Sequence, residues 1–176
     1  MTEQGETISE VIDNLRRAIQ ALNESYKATE KETGLTSAQL WAIKLIAAAA
    51  PIKVSVLARG MFLHPATIVG IVDRLEAKGL VVRTRSTEDR RVVELDLTTQ
   101  GQELVAQAPE AAQIKLVKGL EALPKKSLQQ VAAGMKQLVA TLGAEENIPQ
   151  LLFSQDMNMP TGKKRLGRPA NTTEEE

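Results

Sequence analysis

The stretch HPATIVGIVDRLEAKGLV, residues 64–81, decides the fold of this 176-residue chain. Pro65 suits the first position of a helix, where the missing N–H of proline costs no hydrogen bond. Apolar residues then recur at the spacing that buries one helix face, at Ile68, Ile71, Val72 and Leu75. Gly79 suits a helix C-terminus, where a left-handed conformation is common. The pattern predicts a helix from Pro65 to Lys78.

Shorter elements are predicted on both sides of this helix. Residues 54–60 have the length and apolar content of a short helix, and residues 61–64 leave room only for a tight connection. After Gly79, residues 80–85 and 92–97 are rich in β-branched side chains and enclose a polar, charged stretch. Such a pattern is typical of two antiparallel strands joined at a hairpin tip.

Two further helices are predicted before residue 54. Apolar residues at helical spacing over about 8–31 indicate a long amphipathic helix, which Gly34 ends. Thr36 and Gln39 have the spacing of a capping box, in which each side chain accepts a hydrogen bond from the other residue's backbone N–H. The helix that follows is expected to end near Ala49, before Pro51.

Helices also dominate after the hairpin. A long helix is expected from Thr98 toward Leu120, kinked or restarted at Pro109, and a last helix over about 125–142. Residues 155–176 have no apolar periodicity and are predicted to be a disordered tail after a domain that spans 1–154. The predicted fold class is mainly α, with a small two-stranded antiparallel β-wing.

Composition excludes several kinds of site. The chain has no cysteine and one histidine, His64, which removes disulfides, thiolate chemistry and multi-histidine metal sites. No nucleophile–base pair, metal set or phosphate-binding loop is present, so we predict no catalytic residues, no metal, no cofactor and no enzyme. No segment has the length and apolarity of a membrane span or a signal peptide, so a cytoplasmic protein without a membrane partner is expected.

Charge is unevenly distributed. The chain carries 22 basic and 22 acidic residues, for a net charge of +0, but residues 53–91 carry eight basic and four acidic residues and are therefore at +4. A second basic group occupies residues 163–168, and three glutamates close the sequence. The neutral total therefore hides two positive segments, and clustered positive charge favours a nucleic-acid partner.

The order of these elements and the residues within them resemble the MarR family of winged helix-turn-helix regulators. The resemblance covers residues 35–101, about 36–97 of them forming the winged helix-turn-helix. It rests on Leu35-Thr36, Val54–Ala58, His64–Val69, Val72–Val81, Asp89–Arg91 and Leu97–Gly101. It implies a homodimer whose flanking helices, about 8–31 and 98–142, form the dimerisation frame. It also implies double-stranded DNA as partner and allows a small-molecule effector.

The resemblance and the charge pattern together give a set of expected DNA contacts. Helix 65–78 is expected in a major groove, and the wing over 80–97 in the neighbouring minor groove. One of Arg90 and Arg91 is expected to probe that groove, while Asp73 or Asp89 ties the other and stabilises the wing. The expected DNA-binding residues of the domain are Ser55, His64, Pro65, Ala66, Thr67, Val69, Gly70, Arg74, Arg83, Arg85, Thr87, Arg90 and Arg91.

The tail carries a second resemblance. Residues 163–169, Lys-Lys-Arg-Leu-Gly-Arg-Pro, resemble an AT-hook, whose core is Arg-Gly-Arg-Pro, although Leu166 stands where the first arginine belongs. Tethering such a segment to a DNA-binding domain raises its local concentration at the duplex. The expected contacts of the tail are Lys163, Lys164, Arg165, Gly167, Arg168 and Pro169.

Helix 65–78 departs from the family in carrying Ala66, Val69 and Gly70 where polar side chains are common. Fewer side chains then remain for hydrogen bonds to base edges, and AT-rich DNA read partly by shape is expected. Two functions stay open. One is a repressor that binds a pseudo-palindromic or AT-rich site, and the other is an architectural or silencing protein of AT-rich tracts without an effector. Either would be nucleoid-associated.

Overall fold

The computed structural model describes residues 2–86, 89, 92–149 and 151, and within them it contains seven helices and one small antiparallel sheet. The predicted fold class is confirmed. The elements in chain order are α1 (Glu3–Thr33), α2 (Ser37–Ala49), β1 (Ile52–Lys53), α3 (Val54–Gly60), α4 (Pro65–Ala77), β2 (Val81–Arg85), β3 (Val93–Leu97), α5 (Thr99–Gln107), α6 (Ala112–Glu121) and α7 (Lys125–Thr141).

Capping residues set the ends of the first two helices. Helix α1 begins five residues before the predicted start because the Thr2 hydroxyl accepts a hydrogen bond from the Gly5 N–H at 3.3 Å. It ends at Gly34, whose φ of 64° is left-handed. At α2 the capping box is confirmed, since Thr36 and Gln39 exchange side-chain to backbone hydrogen bonds of 3.3 Å.

The sheet has one strand more than predicted. Its order is β1-β3-β2, with Ile52 opposite Leu95 at one edge and Arg83 opposite Leu95 at the other. The predicted two-stranded wing is therefore present as β2 and β3, and β1 adds a third strand that the sequence did not predict. Strand β1 is only two residues long, too short to show the alternation of apolar and polar residues by which strands are recognised.

The core is aliphatic and lies between α2, α3, α4 and the sheet. Its largest fully buried side chains include Leu40, Ile43, Ile46, Leu57, Ile68, Ile71, Leu75 and Leu95. Trp41 of α2 joins this cluster, with 8% of its surface exposed. Because α4 packs its whole inner face here, its orientation relative to the wing is fixed by the core.

The turn before β2 packs directly on the start of α5. The Thr98 hydroxyl accepts from the Gly101 N–H at 3.0 Å and donates to the Gly79 carbonyl at 2.7 Å. The Thr98 N–H donates to the Leu80 carbonyl at 3.1 Å. Gly101 lies so close to Leu80 that a Cβ added there would stand 2.1 Å from the Leu80 oxygen. This junction ties the wing to the helices that follow it.

The helices at the two ends of the chain leave apolar side chains exposed. On α1 these are Ile8, Val11, Ile12 and Ile19, and on α7 they are Leu128, Val131, Met135 and Val139. No residue of α7 is buried.

The break predicted at Pro109 is a restart, since α5 ends at Gln107 and α6 begins at Ala112.

Within the part of the chain that the structure describes, no single helix is long and apolar enough to cross a membrane. Helices α3 and α4 meet such a length and composition criterion only as a pair, bent by 107°.

Candidate nucleic-acid interface

A tight turn joins α3 and α4, and it contains one buried and one exposed side chain. Met61 is buried beneath the turn, and the Leu63 N–H donates to the Ala58 carbonyl at 3.0 Å. Phe62 takes a left-handed φ of 54° and leaves most of its ring in solvent. The turn therefore fixes α3 against α4 with the start of α4 at the surface.

The start of α4 has the predicted local chemistry. His64 is the N-cap, and its Nδ1 accepts a hydrogen bond from the Ala66 N–H at 3.2 Å. Pro65 is the first helical residue. Helix N-termini favour anions because unpaired N–H groups and the helix dipole point outward. This end of α4 is thus compatible with a phosphate.

The outer face of α4 is apolar along its first two turns. Ala66 is exposed and Val69 leaves 45% of its surface in solvent. At Gly70 an added Cβ would meet no atom within 4 Å, so this position opens to solvent. Arg74 is exposed one turn further along. Any partner on this face therefore meets small and aliphatic side chains before it meets a charge.

Thr67 does not lie on that face. Only 6% of its surface is exposed, although the sequence places it among the expected DNA contacts. The reason is helical geometry, because Thr67 stands one turn before the fully buried Ile71 and shares its side of the helix. The expected direct contact of the Thr67 side chain with a partner is therefore corrected.

An arginine of the wing bridges two carboxylates of α4. In β2, Arg83 places Nη2 at 2.5 Å from Oδ1 of Asp73, and its Nη1 donates to Oε2 of Glu76. Asp73 and Glu76 lie three residues apart on one face of the helix, so one planar guanidinium spans both. We call this group the Arg83 clamp. It holds the wing against α4 and neutralises charge on the helix.

A scan against known families matches residues 35–93 to the model described as "MarR family". That match spans 59 residues, about a third of the chain, and this part of the chain resembles the MarR family. Among curated proteins it is similar to the HTH-type transcriptional repressor MdtR of Bacillus subtilis, at 32% identity over 101 residues. It also resembles the uncharacterized HTH-type transcriptional regulator YfiV of the same organism, at 35% identity over 91 residues.

These matches cover 57% and 52% of this chain, and 65% and 57% of MdtR and YfiV. Solved structures extend the likeness. YusO of Bacillus subtilis is 28% identical with a TM-score of 0.51, over 79% of this chain and 99% of YusO. CouR, described as a transcriptional repressor bound to a 23-mer DNA duplex, is 27% identical with a TM-score of 0.52. That match covers 80% of this chain and 99% of CouR.

Further predicted contacts lie at the start of α3 and along the wing. Ser55 is exposed at the start of α3, and Arg85 is exposed at the end of β2. Asp89 is exposed in the hairpin. Thr87, Arg90 and Arg91, and the whole tail with residues 163–169, lie outside the described residues. Asp73 pairs with Arg83 of the wing, whereas the arginine that the sequence predicts beside Asp73 or Asp89, Arg90 or Arg91, lies outside the described residues.

Sequence reasoning missed two members of the Arg83 clamp. It assigned no site role to Glu76 and predicted Arg83 as a DNA contact, whereas the structure pairs the two. The signal for Glu76 was its spacing of three residues from Asp73 on a predicted helix. No local signal identifies Arg83, because its partners lie on a separate element.

Two open clefts adjoin α5. One lies between the end of α1 and α5, with Glu32, Gln100 and Glu103 among its lining residues. The other, bounded by Ala47 and Val105, contains Asp96. The charged side chains that line both clefts are acidic, so neither cleft complements the charge of an anionic effector.

Proposed function

We propose that this protein is a homodimeric transcriptional regulator that binds double-stranded DNA through α4 and the wing. The observation that carries the proposal is the geometry of α4, whose N-terminus and outer face are exposed while the Arg83 clamp holds the wing beside it. The descriptions of MdtR as a repressor and of CouR as a repressor bound to DNA support the same function. They favour a regulator over an enzyme.

In the proposed complex, α4 enters a major groove. Ser55 and the N-cap residue His64 contact a phosphate beside the helix N-terminus, and Arg74 and Arg85 contribute positive charge. Arg90 or Arg91 enters the neighbouring minor groove from the tip of the wing. Residues 163–169 of the tail add a further minor-groove contact.

The proposal includes a dimer because α1 and α7 expose rows of aliphatic side chains within one chain. An apolar face of this kind is stable in water when a second copy covers it. Two copies related by a twofold axis would present two α4 helices to half-sites one helical turn apart, roughly 34–36 Å. The expected oligomeric state at micromolar concentration is a dimer, which sedimentation equilibrium measures directly.

Gel-shift titration on AT-rich and GC-rich duplexes of equal length, with a salt series, tests the proposed function. Each phosphate contact lowers the slope of log affinity against log salt by about 0.9. A dimer with several contacts should therefore show a steep negative slope. Affinity without salt dependence, or no binding to any duplex at low salt, would refute the proposal.

The small and aliphatic outer face of α4 favours a second candidate, an architectural protein of AT-rich tracts without an effector. The two candidates differ in specificity. Preference for one palindrome by more than about 10³-fold over random AT-rich DNA identifies a site-specific regulator. A uniform preference for AT-rich DNA identifies the architectural protein. Genome-wide occupancy then separates a few sharp sites from broad coverage of the nucleoid.

Variants test the proposed wing and tail contacts separately. Arg90→Ala and Arg91→Ala should weaken binding without loss of folding, and deletion of residues 155–176 should weaken binding to AT-rich DNA more than to GC-rich DNA. Arg16→Ala on α1 is the matched control, because it removes one exposed arginine that pairs with Asp13 away from α4. Unchanged affinity in both wing variants would overturn the wing assignment.

A further inference from the structure

One stripe along the outer face of α4 consists of small and aliphatic residues. Positions 66, 69, 70 and 73 follow one another at helical spacing and therefore share a face. The first three are Ala, Val and Gly, none of which offers a side-chain hydrogen bond. The fourth, Asp73, already accepts a hydrogen bond from Arg83 at 2.5 Å. We call residues 66, 69 and 70 the apolar stripe.

The stripe is open to a partner rather than covered by the chain. Val69 exposes 45% of its surface, and the space beyond Gly70 is empty to 4 Å from an added Cβ. Without a Cβ at Gly70, the backbone of α4 can approach a surface more closely there than at any alanine. The stripe therefore suits a flat or concave partner that presents small apolar groups.

Charge around the stripe identifies the partner. The segment 53–91 that contains it carries a net charge of +4, and Arg74 is exposed on the same helix. An apolar protein surface does not require this positive surround, but a duplex with its phosphates does. The apolar group that the major groove of B-DNA displays is the C5 methyl of thymine.

We propose that α4 selects DNA by van der Waals contact of the apolar stripe with thymine methyl groups. This inference rests on the proposed function and specifies its DNA as sites with thymine in the major groove opposite Ala66 and Val69. The readout needs no hydrogen bond from the stripe and no guanine. Arg74 and the wing then supply attraction to the backbone, while the methyl groups set the preference among sequences.

The test replaces thymine by deoxyuridine in an AT-rich duplex of about 24 base pairs, long enough for two half-sites. The exchange removes the C5 methyl and leaves the base pairing and the minor-groove edges unchanged. Covering one methyl is worth about 0.8 kcal/mol, or about fourfold in affinity. Loss of one methyl from each half-site of a dimer should therefore weaken binding about 16-fold.

The variant that isolates the stripe is Val69→Ala, which keeps the fold because Val69 is not in the core. It should bind the thymine duplex more weakly and lose most of the difference between thymine and uracil. Ile148→Ala is the control, a truncation of another exposed aliphatic side chain. Ile148 is similarly exposed, at 48%, but lies after α7, outside α4 and the wing, so this variant should keep the full difference.

The outcomes separate this inference from the proposed function. Salt-dependent binding with equal affinity for the two duplexes overturns the methyl readout and leaves the proposed function standing. A thymine preference that Val69→Ala does not reduce overturns the assignment to the apolar stripe. Failure to bind either duplex at low salt overturns the proposed function itself. A preference lost in Val69→Ala and kept in Ile148→Ala supports the inference.

Discussion

Replacing Gly101 by alanine tests whether the backbone contact between α5 and the turn before β2 holds the wing in place. Gly101 is the third residue of α5, and an added Cβ would lie 2.1 Å from the Leu80 oxygen and 3.0 Å from its carbonyl carbon. The obstacle is backbone rather than a flexible side chain. The substitution can therefore be accommodated only if α5 and the turn move apart.

The magnitude follows from that displacement. A real Cβ does not approach another atom closer than about 3.0 Å, so the two segments must separate by about 0.9 Å. This shift strains the hydrogen bonds from Thr98 to Gly79 and Leu80. Overpacking of this kind costs about 2–3 kcal/mol. Alanine is favoured over glycine in a helix by about 1 kcal/mol, so the expected net loss is about 1–2 kcal/mol.

The assay is equilibrium unfolding in urea at one fixed protein concentration, because the stability of a dimer depends on concentration. Trp41 is the only tryptophan and is 8% exposed, so its fluorescence reports the opening of the core. Gly70→Ala is the control, and its expected effect on stability has the opposite sign. The added Cβ meets nothing within 4 Å, so the free energy of unfolding should rise by about 0.5–1 kcal/mol.

Equal or greater stability of Gly101→Ala, measured beside a stabilised Gly70→Ala, would refute the reasoning. It would mean that α5 and the turn at Leu80 tolerate separation, and that the junction does not position the wing. Loss of stability in both variants would instead point to a general intolerance of these helices to alanine, again against the argument from local contact.

Three further predictions concern charge and burial. Arg83→Met should weaken DNA binding in gel shifts, and adding Asp73→Asn and Glu76→Gln should restore it, because the clamp neutralises these carboxylates. Burial raises the pKa of Tyr26, the only tyrosine, above the ordinary value of about 10. The rise in absorbance at 295 nm that reports phenolate formation should therefore occur at a higher pH in the folded protein than in the unfolded chain. The free energy of unfolding should fall as pH rises past the ordinary value, because the unfolded chain then loses the proton more readily. Gly70→Arg should steepen the slope of log affinity for DNA against log salt by about 1, whereas Gly134→Arg in α7 should not.

Features that depend on neighbouring residues could be predicted from the sequence. The capping box of Thr36 and Gln39 and the N-terminal position of Pro65 follow from contacts within one helical turn. Gly34 ends its helix for the same kind of reason, since a left-handed residue suits glycine. These signals fixed the order and type of the helices, and with them the position of α4 at the surface.

Features that depend on distant residues could not. Strand β1 exists because Ile52 pairs with Leu95, 43 positions along the chain, and two residues carry no period of their own. Thr67 is polar but buried, because packing against the core decides which side of α4 faces inward. Local pattern therefore predicted the helices and the hairpin, and it missed β1 and the contacts that orient the side chains.

The Arg83 clamp changes what the positive charge of residues 53–91 means. The net charge of +4 counts every arginine as available to a DNA phosphate. Arg83, however, forms ion pairs with Asp73 and Glu76. Those two carboxylates stand on the helix proposed to approach DNA, where an unpaired negative charge would repel the backbone. Arg83 therefore assists binding by cancelling a repulsion rather than by touching the duplex. This distinction is what the restored affinity of the triple variant would demonstrate, because a direct phosphate contact by Arg83 could not be recovered by removing its acidic partners.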